Sequence, residues 1–275
     1  MPSNESHLAR LGAAGAVTIG VFGGGVGGLL GGGSGVFFVP VLDRFAKLPR
    51  PILHGTSTTA NIAVSAVGAI VYALAGGAVD LRLGTGFMMG GIIGGFLSAG
   101  LLARVPDRAL RTLFVVIVLL TAMKFFIDAA GLNPLAGRPA ISAGLLSNTW
   151  WFVFPVTCIA GVIIGAWAAA LGLGGGLLAV PALVLLFGAD LHTAAGTSLL
   201  MFVPNTVVGA VMHVRRGTAS RMLSRWLSVG AVPGTIAGAV LALAVSAALL
   251  GVVFGTFALL IGLREMVHLV RLNSD

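Results

Sequence analysis

Leu30-Gly31-Gly32-Gly33-Ser34-Gly35 cuts an apolar run that extends from 11 to 46, and Leu171-Gly172-Leu173-Gly174-Gly175-Gly176 cuts a second from 150 to 189. Glycine inside a helix is unfavourable by about 1 kcal/mol relative to alanine, so clusters this dense predict a broken helix in each run. The two stretches are copies. A shift of 141 residues carries Leu30, Gly31, Gly33, Gly35, Val39, Pro40 and Leu42 onto Leu171, Gly172, Gly174, Gly176, Val180, Pro181 and Leu183. Without a gap, the same shift carries Gly55-Thr56-Ser57 onto Gly196-Thr197-Ser198, Val67-Gly68-Ala69 onto Val208-Gly209-Ala210, and Gly76 onto Gly217.

The rest of the composition fits a chain that lives in lipid. Of its 275 residues 57% are apolar and only 9% charged, with a mean hydropathy of +1.07. A water-facing globule needs roughly 25% charged residues to clothe its surface. Two soluble domains are therefore excluded, and the fold class is an all-α integral membrane protein. The net charge of +8 does not point to nucleic acid, because the basic residues sit in short clusters between apolar runs, as topology signals do. A cleaved signal peptide is disfavoured, since Ala14-Gly15-Ala16 precedes the apolar run it would have to follow. The single cysteine, Cys158, makes no intramolecular disulfide, and no residues have metal-ligand spacing.

Runs of about 20 apolar residues predict six uninterrupted spans, at 55–76, 83–103, 111–132, 193–214, 226–246 and 248–264. Orientation follows from the basic residues. If each broken region crosses once, eight spans and parallel repeats result, and Lys and Arg divide nine to six, with Lys124 inside a span. If each broken region enters and returns on its own side, the division is thirteen to two, with only Arg82 and Arg138 on the poorer side. The second division is what the positive-inside rule expects. It gives two inverted repeats, each with one re-entrant region and three transmembrane helices. The expected layout is a cytoplasmic N-terminus (1–10), a first repeat (11–132), a loop (133–149), a second repeat (150–270) and a C-terminal tail (271–275), with both termini cytoplasmic in a multi-pass inner-membrane protein.

Paired broken helices in inverted repeats are the usual construction of secondary transporters. A helix broken at mid-membrane exposes N–H groups and a positive dipole end to an anion. Candidate anion-binding residues are therefore Gly33, Ser34, Gly35, Thr56, Ser57 and Asn61 in the first copy, and Gly174, Gly175, Gly176, Thr197, Ser198 and Asn205 in the second. As the bland alternative, Thr56, Ser57, Thr197 and Ser198 cap helices, and the glycines at 23, 27, 31 and 35 and at 86, 90 and 94 permit close packing. His54, Lys124 and Asp128 are candidates for coupling or pH sensing, although Lys124 equally suits a pair with Asp128 four residues on. Asp80 and Arg82 read as a loop ion pair, and Trp150, Trp151 and Trp226 as interfacial anchors. Gly23, Gly25 and Gly28 match a dinucleotide fingerprint, but no strand precedes them and the match is false.

These residues resemble the TauE/SafE sulfite exporter family. The resemblance rests on the Gly-rich break, Val39-Pro40, Gly55-Thr56-Ser57 and Gly77-Ala78-Val79-Asp80, repeated as the second break, Val180-Pro181 and Gly196-Thr197-Ser198. Arg221 departs from the pattern, standing where the first half has Asp80. The resemblance implies a transporter of a sulfur-containing anion, sulfite or an organosulfonate such as sulfoacetate, working by one half rocking against the other. A passive anion channel is the rival reading. The expected partners are that small anion and the bilayer, with no cofactor, no metal and no nucleic acid, and self-association into a homo-oligomer stays open. No carboxylate pair, His cluster or activated nucleophile lies within the spans, so an enzyme is not expected.

Overall fold

The computed structural model describes residues 8–46, 48–101, 106–132, 150–171 and 176–271. They form ten α-helices: α1 (Leu8–Leu29), α2 (Ser34–Ala46), α3 (Arg50–Gly76), α4 (Leu81–Leu101), α5 (Asp107–Ala129), α6 (Trp150–Leu171), α7 (Gly176–Phe187), α8 (Leu191–Arg215), α9 (Arg221–Ala244) and α10 (Ala247–Arg271). No strand occurs among the described residues. Six helices are long and apolar enough to cross a bilayer: Leu11–Leu29, Arg50–Gly76, Arg108–Ala129, Leu191–Arg215, Arg221–Ala244 and Ala247–Val267. The predicted spans fall on α3, α4, α5, α8, α9 and α10, and the first predicted break separates α1 from α2; residues 172–175 of the second lie outside the described residues.

The first break is sharp for a reason only glycine supplies. Gly31, Gly32 and Gly33 have φ of 71°, 112° and 81°, a run of left-handed backbone that a Cβ would strain. The chain reverses there. Gly27 packs against Ser34 and Gly23 against Phe38, so α2 runs back along α1. The first arm, Leu11–Leu29, is long enough to span alone, yet the chain still returns toward the end from which it entered.

The two halves interlock. Helix α9 lies parallel to α1, with Gly20, Gly24 and Gly28 on the α9 backbone at Leu227–Ala239, and Gly230, Gly234 and Gly238 on Val17, Val21 and Gly25. In the same way Gly86, Gly90 and Gly94 of α4 seat on Phe154–Ala166 of α6, while Gly161 and Gly165 meet Phe87 and Gly91. Lipid gives helices no hydrophobic drive to associate, so backbone-to-backbone packing of this kind is what holds them. Each half thus lends its fourth helix to the other.

At the centre α3 crosses α8. Gly68 packs on Leu199 and Gly209 on Thr58, in reversed order along the two chains, so the helices are antiparallel. Outside this core α5 and α10 pair, also antiparallel, through the Phe125 and Phe254 rings (centroids 5.2 Å apart) and an Arg111–Glu265 ion pair at 3.2 Å.

Candidate functional site

The Gly-Thr-Ser segments do not open helices. Helix α3 starts at Arg50, with proline near its first position, and α8 starts after the Asp190 cap, whose carboxylate accepts from the Thr193 N–H at 3.0 Å. Both segments therefore lie inside the helices, fully buried, and they meet the loop that connects the third and fourth helices of the other half. Thr56 Oγ1 accepts from the Ser220 N–H at 3.0 Å, and Thr197 Oγ1 accepts from the Asp80 N–H at 2.8 Å. The preceding glycines make this approach possible: a Cβ on Gly55 would overlap the Thr218 carbonyl oxygen, and one on Gly196 the Ala78 carbonyl oxygen.

These clamps also define the true repeat register at the loops. Asp80 caps α4, its Oδ1 accepting from the N–H groups of Arg82 (2.8 Å) and Leu83 (3.1 Å). Ser220 caps α9 by accepting from the Leu223 N–H. The second loop is one residue out of step, so the counterpart of Asp80 is Ser220 and not Arg221. The expected Asp80–Arg82 ion pair is replaced by this cap, because the carboxylate faces two otherwise unpaired helix N–H groups.

The breaks converge elsewhere, beside one of the two serines. Gly176, the first residue of α7, lies against Gly32 and Gly33: a Cβ on it would stand 2.5 Å from both the Gly32 carbon and the Gly33 nitrogen. Gly31 abuts Ala195 of α8, and Gly33 faces Leu177. The start of α2 and the start of α7 thus meet at the centre of the molecule. Ser198 is completely buried, its Oγ has no hydrogen-bond partner among the described residues, and it faces Gly32. Ser57, its repeat-mate, is also buried. Gly35 is buried in the first turn of α2. Gly174 and Gly175 lie outside the described residues.

The two asparagines separate. Asn61 accepts a short hydrogen bond from the Ser34 hydroxyl and so joins the first break. Asn205 packs over Gly91 of α4 and donates to the Met201 carbonyl at 3.3 Å, leaving its buried Oδ1 without a partner among the described residues. Lys124 and Asp128 form an ion pair on α5, away from the breaks. His54 lies beside the α8–α9 loop: the position next to it, Gly55, faces His213, whose Nδ1 shares a 2.9 Å hydrogen bond with Thr218 Oγ1. Sequence reading missed Tyr72, whose buried hydroxyl donates to the Gly28 carbonyl at 3.0 Å and pins the end of α1. It also missed Ser65 and Thr206, joined at 3.2 Å across the α3–α8 crossing, although the 141-residue shift superimposes them.

The family described as Sulfite exporter TauE/SafE matches the chain over residues 2–125 and 157–272. Among curated relatives, a "Probable membrane transporter protein" of Xylella fastidiosa strain Temecula1 is 28% identical over 239 residues, covering 86% of this chain and 88% of that protein. The "Probable membrane transporter protein YunE" of Bacillus subtilis strain 168 is 24% identical over 249 residues, covering 84% and 87%. No solved structure matches. With the helix breaks, the interlocked halves and a family match on both repeats in place, the chain is a multi-pass membrane transporter that belongs to the TauE/SafE family.

Proposed function

We propose that the protein exports a small sulfur oxyanion, sulfite foremost, across the cytoplasmic membrane by alternating access. The observation that carries this reading is the meeting of two helix starts, Ser34 of α2 and Gly176 of α7, beside the buried and unpartnered Ser198 hydroxyl. The first N–H groups of a helix have no intrahelical acceptor and carry the positive end of its dipole. Two such ends with a hydroxyl between them hold an oxyanion through neutral donors. Ser34 with Asn61 fixes the edge of the site, while Ser57, next to the Thr58–Gly209 contact, lies at the other end of the α3–α8 crossing. Thr56 and Thr197 hold the surrounding frame through their loop clamps. A fixed buried cation would bind an anion tightly and release it slowly; hydrogen bonds from neutral donors, worth about 1.5–3 kcal/mol each to a charged group, are exchanged for water one at a time.

The orientation we assign is inverted repeats with cytoplasmic termini. It is supported by the α1–α2 reversal and by the antiparallel α3–α8 and α5–α10 pairs. Following those directions, Arg44, Arg50, Arg108, Arg111, Arg215, Arg216, Arg221, Arg225 and Arg264 gather at one end. Arg82 and the ion-paired Lys124 lie toward the other. The richer end is the cytoplasmic one by the positive-inside rule.

Sulfite flux into proteoliposomes, with sulfate, thiosulfate, sulfoacetate and taurine as competitors, tests the reading. Saturable sulfite flux is expected. Flux of a sulfonate in its place would change the cargo, flux linear in concentration would make the protein a channel, and no flux of any sulfur anion would overturn the proposal.

A further inference from the structure

We infer that the two bodies that move during transport are not the two halves of the sequence. They are exchanged modules: α1, α2 and α3 carrying α9, and α6, α7 and α8 carrying α4. The inference rests on the transport reading only in taking the protein to change shape.

Within the first module, α9 is fixed to α1 by the glycine contacts along both helices, and to α3 by the Thr56–Ser220 clamp, by Gly68 against Thr235 and by Gly76 against Leu243. The second module repeats this arrangement, with α4 fixed to α6 by glycines and to α8 by the Thr197–Asp80 clamp, Gly84 against Leu200 and Gly91 against Asn205. Backbones in direct contact form an interdigitated surface that does not slide, because each glycine position has no room for the next residue to pass. Between the modules the contacts are the α3–α8 crossing, with its hydroxyl pair and the Gly55–His213, Thr58–Gly209, Gly68–Leu199 and Tyr72–Gly196 approaches, together with the meeting of the breaks at Gly31, Gly32 and Gly176. No pair of helices there interleaves glycines along its whole length as α1 and α9 or α4 and α6 do. The proposed anion site therefore lies on the boundary between modules and not inside either one.

The chain must cross that boundary in the α3–α4 and α8–α9 loops. Each crossing carries a left-handed glycine, Gly77 at φ 59° and Gly217 at φ 68°, and at both positions a Cβ would meet nothing within 4 Å. Each glycine is followed within a few residues by the clamped N–H of Asp80 or Ser220. Each glycine ends the preceding helix as a left-handed cap, and the next N–H, of Ala78 or Thr218, is bonded back to Tyr72 or His213, so torsion between the modules falls between that bond and the clamp, at Val79 and Ala219.

Spin-label distances in nanodiscs, in a Cys158→Ser background, decide between the two divisions of the molecule. Labels at Leu74 and Met222 sit in different sequence halves but in one module, whereas labels at Leu74 and Met89 sit in one half but in different modules; all three positions are exposed. The first pair is expected to give one narrow distance that sulfite leaves unchanged, and the second a broad or two-peaked distribution. The reverse pattern, or equal widths for both pairs, would overturn the inference whatever the cargo is. Oxidising a Gly76→Cys/Leu243→Cys pair joins the halves within one module, and sulfite flux is expected to be the same before and after oxidation. Flux lost only on oxidation would also overturn the inference, whereas no flux in the reduced variant would count against sulfite as cargo and leave the distances to decide.

Discussion

Ser65 and Thr206, which the 141-residue shift superimposes, meet hydroxyl to hydroxyl at 3.2 Å across the α3–α8 crossing. Each hydroxyl has one proton and two claims on it. Ser65 can donate to the Asn61 carbonyl at 2.8 Å, and Thr206 to the Phe202 carbonyl at 2.9 Å. A bond between them therefore requires one of them to release its own backbone acceptor. The contact is satisfied in either direction and cheap to give up, which suits a joint between moving parts. Ser65→Ala combined with Thr206→Ala should cost less than about 1 kcal/mol, read as a small shift in thermal unfolding.

The clamps should behave differently. Thr56→Val or Thr197→Val keeps the shape and removes the only acceptor described for a buried loop N–H. Each is expected to destabilise the protein by about 1–3 kcal/mol, while Thr→Ser at the same positions should restore most of the loss. Unfolding temperatures of the four variants in detergent provide the check, and equal temperatures for Val and Ser would show that the clamp is idle.

Neighbouring glycines on α1 offer a sharper contrast. A Cβ at Gly24 would overlap the Ala231 carbonyl oxygen, but one at Gly25 would stand 3.6 Å from the nearest atom, Gly234 O. Overpacking against backbone costs about 1–3 kcal/mol or more. Gly24→Ala should therefore reduce the yield of folded protein, and Gly25→Ala should be tolerated, as judged by size-exclusion profiles of the two.

In the binding site, Ser198→Ala is expected to weaken sulfite transport while leaving the unfolding temperature close to the parent. Ser198 has no partner to lose among the described residues, so its removal strands nothing. A hydrogen bond to a charged group is worth about 1.5–3 kcal/mol, so losing it should raise the apparent KM by at least about tenfold. Unchanged flux would leave Ser198 no part in binding.

Cysteine labelling separates the inverted from the parallel arrangement. Arg50→Cys and Arg216→Cys should react from the same side of the membrane, because the α1–α2 reversal returns the chain before α3 begins. With eight simple crossings they would react from opposite sides.

Most of the architecture was legible because it is carried by periodic, local signals. Glycine clusters announce breaks, apolar runs announce spans, and a 141-residue shift announces the repeat. The exchange of α4 and α9 was not legible, since glycines at four-residue spacing show that a helix will be approached closely but not by which partner. The Gly-Thr-Ser segments were recognised as important, yet their threonines looked like helix caps or anion ligands. Their use depends on a loop more than a hundred residues distant, and no local pattern encodes that. Lys124 shows the opposite case: the four-residue spacing to Asp128 was enough to anticipate the ion pair.

The exchange of helices also bears on how the chain is made. When the ribosome has finished the first half, the glycine face of α1 has no α9 to meet, and α4 has no α6. The module around α4 cannot close until α8 ends at 215, nor the one around α1 until α9 ends at 244, so the first half must wait in the bilayer with its tightest packing surfaces filled by lipid. Native contacts of such long sequence separation form late and slowly. The first half produced alone should accordingly be a target for membrane proteases, and supplying the second half as a separate polypeptide should rescue both.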